Sequence, residues 1–219
     1  MSDATERFRR YTKAELISDA AVHLIALVMA VAAVPVMITL AAVLRGDAAA
    51  VTSTSIYGAT LIAMILCSLM YNHLHIPNWT PFLKRLDHSA IYFKIAGTYT
   101  PFALLSGGHG VVMLAGIWIA AIVGTALAVL LPKRNSLLGI ITCLAMGWGI
   151  LIGGWDLLNS LSPAVVALMF AGGLLYTAGT VFLVVERWRY HNTIWHVFVM
   201  IASLVFFIAI MMHLVQSAG

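Results

Sequence analysis

DHSAIYFKIAGTYTPF, residues 87–102, is the stretch on which the reading of this chain turns. It is an apolar run that opens on an acid, Asp87, and carries a base, Lys94, seven residues later. At helical periodicity the two share one face. A charge facing lipid is costly, so an acid and a base on one face of a membrane span are expected to look into a helix bundle and to mark a functional site.

The flanking sequence supplies the membrane. The 219 residues are 62% hydrophobic and 9% charged, with a mean hydropathy of +1.00, far outside the usage of soluble domains. Apolar runs long enough to cross about 30 Å of hydrocarbon lie at 17–44, 51–75, 87–106, 111–131, 137–155, 164–185 and 192–215. They predict an all-α integral membrane protein, a seven-transmembrane-helix bundle. Residues 1–14 read as a cytoplasmic basic arm and 15–219 as the transmembrane domain. The breaks fall at RGDAAA, HIPNWTPFLKR, SGGHG, PKRNS, DLLNSLSP and ERWRYHN, where Gly, Pro or charge interrupts the apolar pattern. The first run is too long for a signal-peptide core and is expected to remain as the first helix. Cys67 and Cys143 lie inside apolar runs at no disulfide or zinc spacing and read as packing residues. A net charge of +4 spread over short loops excludes a nucleic-acid surface; the partner expected is membrane lipid.

The basic residues alternate by loop. Arg7, Arg9, Arg10 and Lys13 precede the first span, and Lys84/Arg85, Lys133/Arg134 and Arg187/Arg189 mark every second break, against Arg45 alone on the opposite side. This asymmetry places the N-terminus in the cytoplasm and, after an odd number of spans, the C-terminus outside. Trp79, Trp155, Trp188 and Trp195 near span ends suit the membrane interface. The glycines of the fifth and sixth spans suit close helix packing, and Pro35 and Pro101 are candidate kinks.

Four polar clusters then fall at one depth. Glu15, Asp19 and His23 share a face at the start of the first span, and Ser68, Asn72 and His75 line the end of the second. Asp87 and His88 open the third, while Asn192 and His196, with Ser203 two turns on, open the seventh. Independent polar substitutions scatter over depth, whereas these converge on a shared site a little inside the cytoplasmic face. For Glu15, His73, His75, His88 and His191 the wet interfacial layer explains the polarity equally well.

At these residues the sequence resembles the hemolysin III family, the bacterial branch of the PAQR superfamily of adiponectin-receptor-like proteins, related to alkaline ceramidases. LDHSAIYFKIAGTYTPF (residues 86–102) matches the family's central signature, ELISDAAVH (15–23) its first-span motif and IWHVFV (194–199) its last, within a resemblance running from Tyr11 to about Ala209. The resemblance implies seven spans with the N-terminus inside, in a bacterial-type inner (plasma) membrane. It also implies a zinc ion near the cytoplasmic side, held by a second-span histidine four residues after a serine and by a seventh-span His-x-x-x-His pair, with the third-span aspartate beside metal-bound water. Only Ser68, Asp87 and His196 carry over, as catalytic candidates; His196 and Asp87 are also candidate metal ligands, to which the first-span cluster adds His23.

Two of the three ligand positions depart from that pattern: they are Asn72 and Asn192. His73 and His191 stand one residue away, a rotation of about 100° on a helix, too far to substitute. Amide oxygen is a poor zinc donor, so zinc is less favoured than a hydrogen-bonded polar site of Asp19, Asn72, Lys94 and Asn192 that holds or relays a proton. A ligand set of His23, His196, Asp19 and Asp87 is the alternative for zinc. Three functions compete: a membrane lipid or energy homeostasis protein, a metal-dependent ceramidase-like amide hydrolase, and the pore-forming (cytolytic) activity that the family name implies. Beyond the cluster the spans are largely Ala, Val, Leu and Ile, with Asp156 and His213 near the far side, which does not make a continuous polar file.

Overall fold

The computed structural model describes residues 11–74, 76, 78–130 and 136–219. The arm through Arg10, His75, Lys133 and Arg134 lie outside the described residues. Every regular element among the described residues is helical: α1 (Lys13–Leu44), α2 (Ala48–His73), α3 (Thr80–Leu105), α4 (Val111–Leu130), α5 (Ser136–Gly147), α6 (Ile150–Gly153), α7 (Trp155–Ser160), α8 (Pro163–Val184) and α9 (His191–Gln216).

Five of these, α1, α2, α4, α8 and α9, are long and apolar enough to cross a membrane, and a shorter apolar segment runs from Leu137 to Gly153. α3 matches them in length but not in hydropathy, and its position explains why. It packs against α2, α4, α5 and α9, and fifteen of its 26 residues are buried. Its solvent is protein rather than lipid, so its polar side chains find partners on neighbouring helices. α9 closes the bundle by packing on both α8 and α1. The result is an all-helical membrane bundle compatible with seven spans.

Local chemistry fixes the ends. Thr12 and Glu15 form a reciprocal capping box at the start of α1, Asp47 caps α2 through Ala50 N–H at 2.7 Å, and Ser162 with Pro163 starts α8. The Ala50 amide and the Arg45 guanidinium hold the Asp47 carboxyl below the usual carboxylate range. Arg45 also donates through Nη1 to Leu105 O at 3.3 Å and Ser217 O at 3.1 Å, tying the α1–α2 turn to the C-terminal ends of α3 and α9.

α1 begins at Lys13, inside the predicted arm, and α2 at Ala48 rather than 51; two other predicted boundaries change more. α3 begins at Thr80 rather than 87, because Pro81 suits a first helical turn, so Lys84 and Arg85 ride on the helix instead of in a loop. The predicted span 137–155 is interrupted after Gly147: glycines at 147, 149, 153 and 154 weaken it, and the Tyr99 hydroxyl donates to the Gly147 carbonyl.

The small residues act in packing. A Cβ on Gly172 would stand 2.6 Å from the Phe206 ring and one on Gly179 2.8 Å from Phe198, so α8 and α9 approach closely at both points. Gly97 is tighter still: its Cβ would meet Thr60 Oγ1 at 2.1 Å and Thr60 Cβ at 3.0 Å. Thr60 Oγ1 is bonded to the Ile56 and Tyr57 carbonyls, so the side chain is pinned. Gly97→Ala is therefore expected to destabilise the bundle by about 1–3 kcal/mol, measured as a lowered thermal midpoint in detergent; an unchanged midpoint would show that α2 and α3 separate freely.

Candidate intramembrane polar site

The end of the bundle where α1, α3 and α9 begin and α2 ends gathers a hydrogen-bonded cluster centred on Asp19. Its carboxylate, 4% exposed as a residue, has three donors. His196 Nδ1 lies 2.6 Å from Oδ1, His73 Nε2 3.0 Å from Oδ2, and Asn192 Nδ2 donates to Oδ1 at 3.3 Å. A carboxylate only accepts, so the ring nitrogens facing it carry hydrogen. His23 Nδ1 lies 2.9 Å from the Asp19 carbonyl oxygen, which likewise only accepts.

That assignment leaves two Nε2 atoms on one hydroxyl. Ser68 Oγ is 3.1 Å from His23 Nε2 and 3.4 Å from His196 Nε2, and the two imidazoles stand 4.2 Å apart, edge to face. Asn72 Nδ2 donates to Ser68 Oγ at 3.2 Å and to Ser68 O at 2.9 Å, while its Oδ1 accepts from Asn192 Nδ2 at 3.3 Å. The two asparagines therefore bridge α2, α9 and Asp19.

Glu15 sets the register of this end. Besides capping α1 it accepts from Tyr190 N–H at 3.0 Å, and Tyr190 holds a left-handed backbone, φ 58°, at the start of α9. One carboxylate thus fixes the entry to α9, whose first turns carry Asn192 and His196. His191, at the same end, is buried and bonded to Tyr11 Oη at 3.1 Å and the Phe182 carbonyl at 3.1 Å.

His73 is the site residue that helical spacing missed. The rotation argument holds toward α9, but Asp19 lies on α1, on another side of α2, and the last residue of α2 reaches it. Asp87 is half-buried and lines the same cavity as His23, Ser68 and His196; the carboxylate inside the cluster is Asp19. Lys94 donates to Tyr176 Oη, on α8, rather than to an acid.

A metal is tested against this donor set. Asp19, His23 and His196 form the group of potential ligands whose atoms lie within 4.8 Å of one another among the described residues. Two donors on one tetrahedral zinc, at bonds of about 2.0–2.1 Å, stand well over 3 Å apart. The 2.6 Å between Asp19 Oδ1 and His196 Nδ1 is a hydrogen bond, and the carboxylate is already occupied by three donors. Two Nε2 atoms and a hydroxyl remain, short of the three-ligand protein set of a catalytic zinc. The residues do not fit the ion.

The fold and the site define a helical membrane protein with a polar cluster enclosed in its bundle. The haemolysin-III-related family profile matches residues 13–207, and the chain belongs to that family. It is 32% identical over the full length of both chains to hemolysin-3 of Bacillus cereus. It is 35% identical to the hemolysin-3 homolog of Bacillus subtilis (strain 168), over 94% of this chain and 97% of that one. It is also 29% identical to the human monocyte to macrophage differentiation factor over 74% and 70%. These relatives and the apolar helices make it an integral plasma-membrane protein.

Proposed function

We propose that the chain serves membrane lipid or energy homeostasis, with membrane lipid as its partner, and that the Asp19 cluster is a proton-holding site just inside the cytoplasmic face. The observation that carries this is the single Ser68 proton between two Nε2 atoms. The second Nε2 either carries its own proton and pairs, as imidazolium, with Asp19, or turns a lone pair to the cavity. The site therefore has two states one proton apart. The basic asymmetry of the loops supports the cytoplasmic placement. The test is membrane potential and lipid composition in cells expressing the wild-type chain, Asp19→Asn or Ser68→Ala. Wild type is expected to shift one of the two, and both variants to lose the shift; variants as effective as wild type would sink the reading.

A second reading rests on one alignment. Asp19 Oδ1, His196 and Ser68 Oγ lie in the order acid, imidazole, hydroxyl, at 2.6 and 3.4 Å, and His196 and Ser68 open on a cavity. That is the arrangement that activates a serine nucleophile without metal, and it keeps amide hydrolysis available to this bundle. A fluorophosphonate probe marks Ser68 if the hydroxyl is activated, with the label lost in Ser68→Ala and Asp19→Asn; an unlabelled wild type removes this reading.

A further inference from the structure

The end of the bundle opposite the Asp19 cluster is tied by two basic side chains. Arg45, on the α1–α2 turn, pairs with Asp47 at 2.8 Å and donates to Leu105 O at the end of α3, at 3.3 Å, and to Ser217 O just past α9, at 3.1 Å. His213, in the last turn of α9, is 5% exposed. Its Nε2 lies 3.1 Å from Ser106 Oγ, which follows α3, and its ring stacks on that of Phe102 with centroids 6.0 Å apart. Phe102 also lines the cavity within the bundle.

The two bases cannot both be charged here without cost. The carbonyl ends of α3 and α9 attract positive charge, and the guanidinium, which is always protonated, already holds Leu105 O and Ser217 O. A neutral His213 leaves those oxygens to Arg45, since the Ser106 hydroxyl can either donate to the ring or accept from it. An imidazolium donates through both nitrogens and competes for the same carbonyls. It also stands within reach of the Arg45 charge, and out of water like charges repel strongly.

The neighbouring helices offer no counter-charge. α1 has no titratable group between His23 and Arg45, α2 none between Asp47 and Tyr57, and α8 only Tyr176, at mid-helix. On α3 the one nearest Phe102 in the chain is Tyr99, whose hydroxyl donates to the Gly147 carbonyl, and His109, in the turn after α3, is exposed. Asp47 is paired with Arg45, and with its carboxyl held below the usual carboxylate range it stays ionised in mild acid.

We propose that Arg45 and His213 form a pH-sensitive latch. With His213 neutral, Arg45 clasps the ends of α3 and α9; protonation of His213 in mild acid displaces the guanidinium and frees the α1–α2 turn, and Phe102 carries the change to the cavity wall. The basic asymmetry of the loops supports an outward placement of this end, where the latch reads external pH. It acts apart from the proton held at the Asp19 cluster.

The experiment uses the full chain in nanodiscs, carrying Cys67→Ala and Cys143→Ala and spin labels on Ala48→Cys and Ala218→Cys, two exposed positions. The distance between the labels is measured by pulsed electron resonance at about pH 7.5 and about pH 5, on either side of an ordinary histidine. It is expected to lengthen and broaden in acid. His213→Gln, whose amide can still meet Ser106, is expected to keep the short distance at both pH values, Arg45→Gln to give the long one at both, and His109→Gln to leave the response intact. A distance that ignores pH in the labelled chain, a response that survives His213→Gln, or one that is lost in His109→Gln overturns the proposal. Should His213→Gln fail to fold, Arg45→Gln decides, because a pH response that persists without the guanidinium overturns the latch equally.

Discussion

Asp19→Asn is expected to cost about 3–5 kcal/mol, the usual penalty for removing one member of a buried pair and stranding its partner. The carboxylate accepts from His196 at 2.6 Å, His73 at 3.0 Å and Asn192 at 3.3 Å. An amide in its place keeps one acceptor oxygen for His196 and Asn192, but its NH2 then faces His73, which must switch tautomer to accept, and the negative charge that all three donors share is lost. The loss falls on α1, α2 and α9 together, so the thermal midpoint in detergent should drop as one cooperative shift. Asp87→Asn, on a half-buried residue at the cavity wall, is the comparison. Glu15→Gln is not an inert control, because Glu15 caps α1 and holds Tyr190. If Asp19→Asn leaves the midpoint where it was, the cluster is not what joins these helices.

The double substitution Asn72→His with Asn192→His is expected to raise bound zinc from a small fraction to about one ion per chain. Asn72 Oδ1 and Asn192 Nδ2 are 3.3 Å apart, and His196 sits one turn beyond Asn192. Imidazoles at both positions join that of His196 to make three nitrogen donors on facing helices, with Ser68 beside them, the set that the family resemblance implies. Each asparagine now supplies hydrogen bonds to Ser68, Asp19 or its fellow, which a neutral imidazole replaces only in part, so the metal-free double variant should be less stable than wild type. Elemental analysis of both proteins, purified without added metal, is the measurement. A wild-type chain that already carries one tightly held zinc would falsify the donor-set argument, since Asp19 would then have to exchange its hydrogen bonds for a metal bond.

The membrane class, the helical fold and the convergence of polar residues at one end were legible in the chain, because lipid allows few structures and burial follows composition. The polarity of 87–102 already distinguished that helix from its neighbours. What the spacing did not contain was which of its neighbours each face meets. His73 is excluded from a partner on α9 by 100° of rotation, yet α1 lies elsewhere around α2 and brings Asp19 within 3.0 Å of its Nε2. Tyr176, in the unremarkable run GGLLYTAG, gave no sign of being the partner of Lys94.

The sequence by itself determined that an acid and a base must be enclosed in this bundle, since neither is tolerated against hydrocarbon. Only the tertiary structure decided how they are enclosed. Asp87 and Lys94 share a helix face, but Lys94 turns to the hydroxyl of Tyr176 between two aromatic rings, while the imidazoles gather around Asp19 from a different helix. Periodicity fixes the angle of a side chain about its own axis; which partner lies at that angle depends on how the helices pack, and packing is set by contacts far apart in the chain, such as Gly97 on Thr60 and Gly172 on Phe206.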